Sequence, residues 1–331
     1  MEHRFLGRTG VRLSRLSLGT MSFGPDEAAA AAVFDRCLEA GINHFDTADV
    51  YSGGRSEEIL GALVARAGCR DRVVIATKAY FPTGQDPNAR GSSRYHLVRS
   101  AEASLRRLAT DRIDLFYLHR FDDETDLEET FRALDDLVRR GLILYPALSN
   151  FAAWQVVKAL GVCALGRLAP PVCVQPMYNL VKRQVEVEIL PMCRSEGIGV
   201  IPYSPTGGGL LTGKFGAGER PAAGRLVENK AYRFRYGSAD YYQIAERFAA
   251  LARERGHHPA AMAIAWVAAH PAVTSVLLGA RNVEQLEPLL GAVAIPMDDE
   301  LLAAIGAIAP APPPATDRNE EGTEFQLGGR R

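Results

Sequence analysis

Net charge, cysteine and long apolar runs are all scarce in this sequence, and each shortage closes off a class of function. The formal net charge is -1 over 331 residues. Arginines are scattered over helical stretches, so no global field draws the chain to nucleic acid or an anionic membrane. The five cysteines, Cys37, Cys69, Cys163, Cys173 and Cys193, are odd in number and show no C-x-x-C spacing. Free thiols in a reducing cytoplasm are expected rather than a disulfide framework. No apolar run is long enough to span a bilayer, and Met1-Glu2-His3-Arg4 lacks the apolar segment of a signal peptide, so a cytoplasmic location is expected. Histidines do not fall at metal-ligand spacing: His44 and His119 stand alone and His257-His258 open a helix, so no metal is expected. The G-x-S-x-G elbow of a hydrolase is missing as well.

What is present is a regular alternation. A hairpin is predicted around a Thr-Gly turn in the run Phe5 to Leu13, followed by strand 16–20. Helix 26–40 then leads to strand 42–45, helix 56–66 to strand 73–77, helix 92–108 to strand Ile113–Leu118, and helix 126–140 to strand 142–148. The second half continues with helix 152–165, strand 172–175, helix 186–196 and strand 199–203. After a long loop come helices near 239–255 and 259–270, strand 274–278 and helix Val283–Leu290. The strands are short, apolar and β-branched, as strands buried on both faces must be. Eight of them with intervening helices predict an α/β fold, a (β/α)8 TIM barrel, with the hairpin plugging its N-terminal mouth. One domain is expected over 1–308, and a Pro-rich tail over 309–331, extended or disordered. The rival is a doubly wound sheet, but Gly19-Thr20-Met21-Ser22-Phe23-Gly24 does not supply G-x-G-x-x-G. Gly208 to Phe215 nearly matches a P-loop. Phe215 stands where the Mg²⁺-binding hydroxyl belongs, so a nucleotide triphosphatase is not expected.

In such a barrel, chemistry belongs at the C-terminal ends of the strands. Those ends read Asp46 and Tyr51, Lys78, His119, Ser149-Asn150, Gln175, Tyr203-Ser204-Pro205 and Gly279-Ala280-Arg281. Each has an ordinary structural reading alone; four chemically matched residues on adjacent strands point to a site. Asp46 is expected to pair with Lys78. Lys78 is expected to lower the pKa of the Tyr51 phenol so that it donates a proton to a carbonyl oxygen, with His119 bonded to that oxygen.

At these residues the sequence resembles the aldo-keto reductases, in the branch similar to potassium-channel β-subunits and bacterial general-stress reductases. The matching motifs are Asp46-Thr47-Ala48-Asp49-Val50-Tyr51, Ala76-Thr77-Lys78, Asp114 to His119, and Leu148-Ser149-Asn150-Phe151. Gln175 to Asn179, Tyr203-Ser204-Pro205, Leu210 to Phe215 and Leu278-Gly279-Ala280-Arg281 continue the match. The resemblance implies NADPH-dependent reduction of a small-molecule carbonyl compound, with Asp46, Tyr51, Lys78 and His119 as catalytic tetrad. By the same resemblance Ser149, Asn150 and Gln175 hold the carboxamide and Tyr203 stacks on the nicotinamide. Ser204, Gly207, Lys214 and Arg225 flank the phosphates, and Arg281 and Gln285 reach the adenosine end. Gly19, Thr20, Met21, Pro205, Thr206 and Gly279 complete the expected cofactor contacts. Arg281 with Lys214 matches a 2′-phosphate, hence NADPH. A homo-oligomer, tetramer or octamer, is implied too.

The sequence also departs from the family pattern. Pro288-Leu289 replaces Glu-Asn after Gln285-Leu286-Glu287, Thr206 replaces Leu, Pro146-Ala147 replaces Ile-Gly, and Met21 stands where an aromatic is common. Lost hydrogen bonds to adenine predict weaker cofactor binding than is usual. Loops 81–94, 120–124 and 216–236 are expected to close the substrate pocket with Tyr80, Phe81, Tyr95, Arg120, Phe121, Tyr232 and Phe234. That wall suits a sizeable polar ketone, such as a keto-sugar or a polyketide side chain. Two rival readings are a redox-sensing binding subunit and an isomerase on the same barrel.

Overall fold

Strands with no polar face must be covered on both sides, and a closed parallel sheet inside a ring of helices does this. The computed structural model describes residues 1–215, 221, 224–318 and 320. Its hairpin strands are β1 (His3–Phe5) and β2 (Arg12–Ser14), paired antiparallel. The barrel strands are β3 (Leu16–Gly19), β4 (His44–Asp46), β5 (Val74–Ala79), β6 (Ile113–Leu118), β7 (Ile143–Ser149), β8 (Cys173–Gln175), β9 (Gly199–Val200) and β10 (Val276–Leu278). All neighbours are parallel, in the order β10-β3-β4-β5-β6-β7-β8-β9. Thr274 N–H to Val200 O at 2.9 Å and Leu277 N–H to Pro202 O at 3.0 Å join the two ends. The sheet is a barrel, and the doubly wound alternative falls.

Alternation along each strand divides the core in two. Ala76, Leu115, Tyr117, Ala147, Cys173, Ile201 and Leu277 fill the interior, with Leu6 and Leu13 of the hairpin segment packed among them. Ile75, Phe116, Leu118 and Leu148 instead meet the surrounding helices. The hairpin therefore plugs the barrel, as expected. It fits because Gly7, at φ 56°, has no side chain: a Cβ there would lie 2.6 Å from Gly197 O.

The helices are α1 (Glu27–Glu39), α2 (Arg55–Ala67), α3 (Arg94–Leu108), α4 (Leu127–Arg139), α5 (Ala153–Gly166), α6 (Ile189–Glu196), α7 (Arg225–Glu228), α8 (Lys230–Tyr236), α9 (Ala239–Glu254), α10 (Pro259–Ala269), α11 (Val283–Leu290) and α12 (Asp299–Ile308). Asp26, Ser93 and Asp126 accept backbone N–H bonds at the starts of α1, α3 and α4, satisfying groups a helix leaves unpaired. Helix 186–196 starts later than expected, at Ile189, which moves Pro191 from a helix interior into the first turn, where its ring is tolerated. Strand 199–203 stops after Val200, because Pro202 has no N–H for the ladder. Helices α7, α8 and α12 were not expected. Residues 310–318 contain neither helix nor strand. The rest of the expected tail, and residues 216–220, 222 and 223 of the expected covering loop, lie outside the described residues apart from 320.

Candidate active site

β4 ends on Asp46, and the inward alternation that buries Ala76 on β5 also brings Lys78 to the barrel axis beside it. The Lys78 ammonium donates to an Asp46 carboxylate oxygen and to Thr47 O at 2.8 Å. Gln175 Nε2 donates to the other carboxylate oxygen, Oδ2, at 2.8 Å. The side chains of Lys78 and Asp46 are 0% and 3% exposed, so this ion pair is fully desolvated and survives because every charge has partners. Burial opposes the Lys78 charge, but Asp46 and Tyr51 outweigh it and raise its pKa.

Tyr51 begins a 3-10 turn (Tyr51–Gly54), and the Lys78 ammonium lies 5.2 Å from its ring centre, close enough for its charge to act on the phenol. Burial raises the phenol pKa above its ordinary value, and the Lys78 charge only partly opposes this. The expected lowering is thus corrected. Asp46 cancels much of the ammonium field, and the phenol stays protonated at neutral pH. His119, just past β6, is edge-on to Tyr51 at 5.9 Å and to Phe81 at 4.8 Å. Burial, with the Lys78 charge, lowers its pKa to about 3, so the ring is neutral. Its Nδ1 is buried with no hydrogen-bond partner among the described residues. The four expected catalytic residues therefore meet at one end of the barrel.

A second ring of polar groups adjoins them. Asn150 takes a left-handed backbone (φ 59°) that non-glycine residues adopt at a cost. Its Nδ2 donates to His119 O at 2.9 Å and Ser149 Oγ at 3.1 Å, and its Oδ1 accepts from the Tyr203 hydroxyl at 2.7 Å. Ser149 Oγ donates to Gln175 O at 2.9 Å. The Gln175 amide nitrogen is committed to Asp46, a use that its position after a strand did not reveal. Ser204 is also left-handed (φ 56°), and Asn179 Nδ2 holds its carbonyl at 3.0 Å.

The remaining expected cofactor residues spread along the mouth. Thr20 is buried, its hydroxyl donating to Asp46 O at 3.1 Å and meeting Ser56 Oγ at 2.8 Å. Gly19 has Leu278 O 3.2 Å from where a Cβ would stand. Met21 and Gly279 are exposed, Thr206 is half-buried, and Pro205 and Gly207 are buried. Lys214 is exposed without an acidic partner among the described residues. Arg225 lies 5.2 Å from the Tyr232 ring centre. Arg281 makes a loose ion pair with Glu228 at 3.5 Å, and its N–H donates to Gln285 Oε1 at 3.2 Å. The near P-loop folds as a 3-10 turn (Gly207–Thr212) with Leu210 and Leu211 buried, Gly213 to Phe215 are not helical, and Phe215 stands where the Mg²⁺-binding hydroxyl belongs, so it lacks the features of a triphosphate-binding P-loop. Leu289 is part of the core and Pro288 sits inside α11.

Of the expected aromatic wall, Phe81 covers His119 with Tyr80 behind it, and Phe121 packs on Phe151 and Trp154. Tyr95 lies against Arg99 on α3, and Phe234 is 95% exposed, so neither contributes as placed. One buried cluster escaped the sequence reading. Glu57 accepts from Thr77 Oγ1 at 2.5 Å and from Arg107 Nε at 2.6 Å. Asp49 lies near it, buried with both carboxylate oxygens unpartnered among the described residues. The only linear signal was Asp49 itself, inside the Asp46–Tyr51 motif.

Fold and site together define a (β/α)8-barrel oxidoreductase. The model of the aldo/keto reductase family matches residues 15–310, and the chain belongs to that family. It is similar to the uncharacterized oxidoreductase YrpG of Bacillus subtilis (strain 168), with 40% identity over 328 residues, 94% of this chain and 97% of that protein. It is also 37% identical over 325 residues to a probable voltage-gated potassium channel subunit beta of Oryza sativa subsp. japonica, covering 96% of this chain and 99% of that one. A protein of the same description from Arabidopsis thaliana is 37% identical over 300 residues, 88% and 91% of the two chains. Among the described residues no helix is long and apolar enough to cross a membrane, and no group of three or more His, Cys, Asp or Glu side chains is placed to hold a metal.

Proposed function

We propose that the protein reduces an aldehyde or ketone to the alcohol, using NADPH. The observation that carries this reading is the buried Lys78, paired with Asp46 and set 5.2 Å from the centre of the Tyr51 ring, with a neutral His119 edge-on to that ring. A bound reduced nicotinamide supplies the hydride to the carbonyl carbon. Tyr51, kept protonated by burial, gives its proton to the carbonyl oxygen as that oxygen becomes negative. Lys78 stabilises the phenolate left behind, and Asp46 and Gln175 fix the ammonium in place. His119 is uncharged at working pH and positions the oxygen by hydrogen bonding rather than by protonating it.

The residues along the mouth fit a nicotinamide dinucleotide. Tyr203 offers a half-buried ring next to Asn150, and Lys214, Arg225 and Arg281 bring positive charge to the side where phosphates would lie. The Arg281–Glu228 pair is exposed, worth about 1 kcal/mol or less, and does not bar Arg281 from a 2′-phosphate. With Pro288 and Leu289 lacking donors and acceptors for adenine, NADPH should bind more weakly than micromolar; a micromolar or tighter dissociation constant by fluorescence titration contradicts this. Cofactor consumption over a panel of aldehydes, keto-sugars and aryl ketones tests the main reading beside Tyr51→Phe. Removing the proton donor should slow turnover by about 10²–10⁴-fold. An undiminished Phe variant would remove Tyr51 from the mechanism. The rice and Arabidopsis relatives favour a second reading, a subunit that binds nicotinamide as a redox sensor. Tight NADPH binding with no turnover of any carbonyl compound would select it.

A further inference from the structure

Between residues 224 and 238, Arg225, Lys230, Arg233 and Arg235 face a single acidic residue, Glu228, in a chain whose net charge is -1. Glu228 is already engaged by Arg281. Among the described residues no carboxylate pairs with Arg225, Arg233 or Arg235. Arg225 and Arg235 are half-buried, their guanidinium groups 5.2 and 5.0 Å from the centre of the Tyr232 ring, whereas Lys230 and Arg233 are exposed. Tyr232 in turn packs over Gly208, where a Cβ would come within 2.7 Å of the ring.

This segment is fastened over the reaction centre. Asn229 caps α8 by accepting from Ala231 and Tyr232 N–H. At the other end the Tyr236 hydroxyl accepts from Asn179 Nδ2 at 3.1 Å and reaches Met177 Sδ at 3.3 Å. Asn179 Nδ2 also donates to Ser204 O at 3.0 Å, next to Tyr203, so Tyr232 over Gly208 and Tyr236 on Asn179 tie α8 to the strand ends that carry the site; the Arg235 charge acts on the Tyr203 phenol. A half-desolvated guanidinium without a counter-ion is costly, and its planar fork matches carboxylate and phosphate oxygens. The side chains expected at the cofactor phosphates are Lys214, Arg225 and Arg281; Arg235 is set instead against Tyr232, with its charge felt at Tyr203.

We propose that Arg235 binds an anionic group, carboxylate or phosphate, on the carbonyl substrate, so that the site selects anionic aldehydes or ketones. This rests on the reductase reading above. It is tested by kcat/KM on two matched pairs, 4-formylbenzoate against its methyl ester and glyceraldehyde 3-phosphate against glyceraldehyde. Wild type should favour the anionic member of at least one pair by about tenfold or more, the scale of one charge-assisted hydrogen bond. Arg235→Gln should collapse that preference, mainly through KM for the anionic member, and Arg235→Lys should restore part of it. The pair that responds distinguishes carboxylate from phosphate. Equal losses on charged and neutral members, or a raised KM for NADPH with both, would assign the guanidinium to cofactor or fold and overturn the proposal. If wild type turns over none of the four, calorimetry with 4-(hydroxymethyl)benzoate and glycerol 3-phosphate decides. Binding that is lost in Arg235→Gln upholds the anion site and leaves the reductase reading to the wider panel above, whereas binding kept in Arg235→Gln, or no binding to wild type, overturns the proposal.

Discussion

Asp49→Asn should stabilise the protein, and by an amount that grows with pH. Asp49 is 3% exposed, and among the described residues neither carboxylate oxygen has a hydrogen-bond partner. Burial, and then the nearby Glu57 charge, raise its pKa to about 7, against the partial opposition of Arg107 and Lys78. In the unfolded chain an aspartate titrates near its ordinary value of about 3.9. Between the two values the unfolded state has released a proton that the folded state still holds, so rising pH favours unfolding. The penalty is absent below the lower value, reaches about 2 kcal/mol at pH 5 and about 3 at pH 6, and levels off near 4 above pH 7. Asparagine has nothing to ionise, so the variant avoids it. Urea unfolding of wild type and variant across this range measures the difference directly. A difference that stays flat within about 1 kcal/mol from pH 5 to pH 8 would refute the argument, because it would mean that Asp49 is ionised in the folded protein.

Other outcomes follow from the same contacts. Lys78→Met leaves the buried Asp46 carboxylate with only the Gln175 amide, and should cost about 3–5 kcal/mol in urea unfolding; adding Asp46→Asn should recover more than half. Gly61→Ala would ordinarily favour a helix by about 1 kcal/mol. Here the new Cβ would stand 2.3 Å from Leu108 O on α3, so a net loss of about 1–3 kcal/mol and a lower Tm are expected, and a gain would contradict the packing of α2 on α3. The His119 imidazole resonances should stay fixed between about pH 8 and about pH 5, as its pKa lies near 3; titration near the ordinary imidazole value would show that the ring is solvated.

The catalytic end was legible because its grammar is local. Asp46, Lys78, His119 and Gln175 each follow a short apolar run, and a barrel turns that linear position into a shared place. Asp298, capping α12 through Leu301 N–H, was a readable signal that went unused. The four-residue α7 and the seven-residue α8 had no such periodicity, being too short to carry one. The partners of Asp46 were less accessible still. Nothing in the sequence links Gln175 to a carboxylate 129 positions away. The Tyr51 pKa was misjudged for a related reason: a lysine is visible in the sequence, but the degree of burial and the cancelling carboxylate are properties of the assembled site.

Asp46 accepts from Lys78 on the adjacent strand and from Gln175 on β8, four places further round an eight-stranded closed sheet. β4 and β8 are thus diametrically opposed, and the carboxylate works as a spoke across the hub of the wheel. The seam of that wheel lies one strand beyond β8, between the two-residue strand β9 and β10. On the proposed mechanism, the side chains that serve proton transfer therefore also join opposite sides of the rim. A variant made at Asp46 to test the proposed chemistry would also loosen the hub, whereas Tyr51→Phe removes one oxygen and leaves the spoke in place.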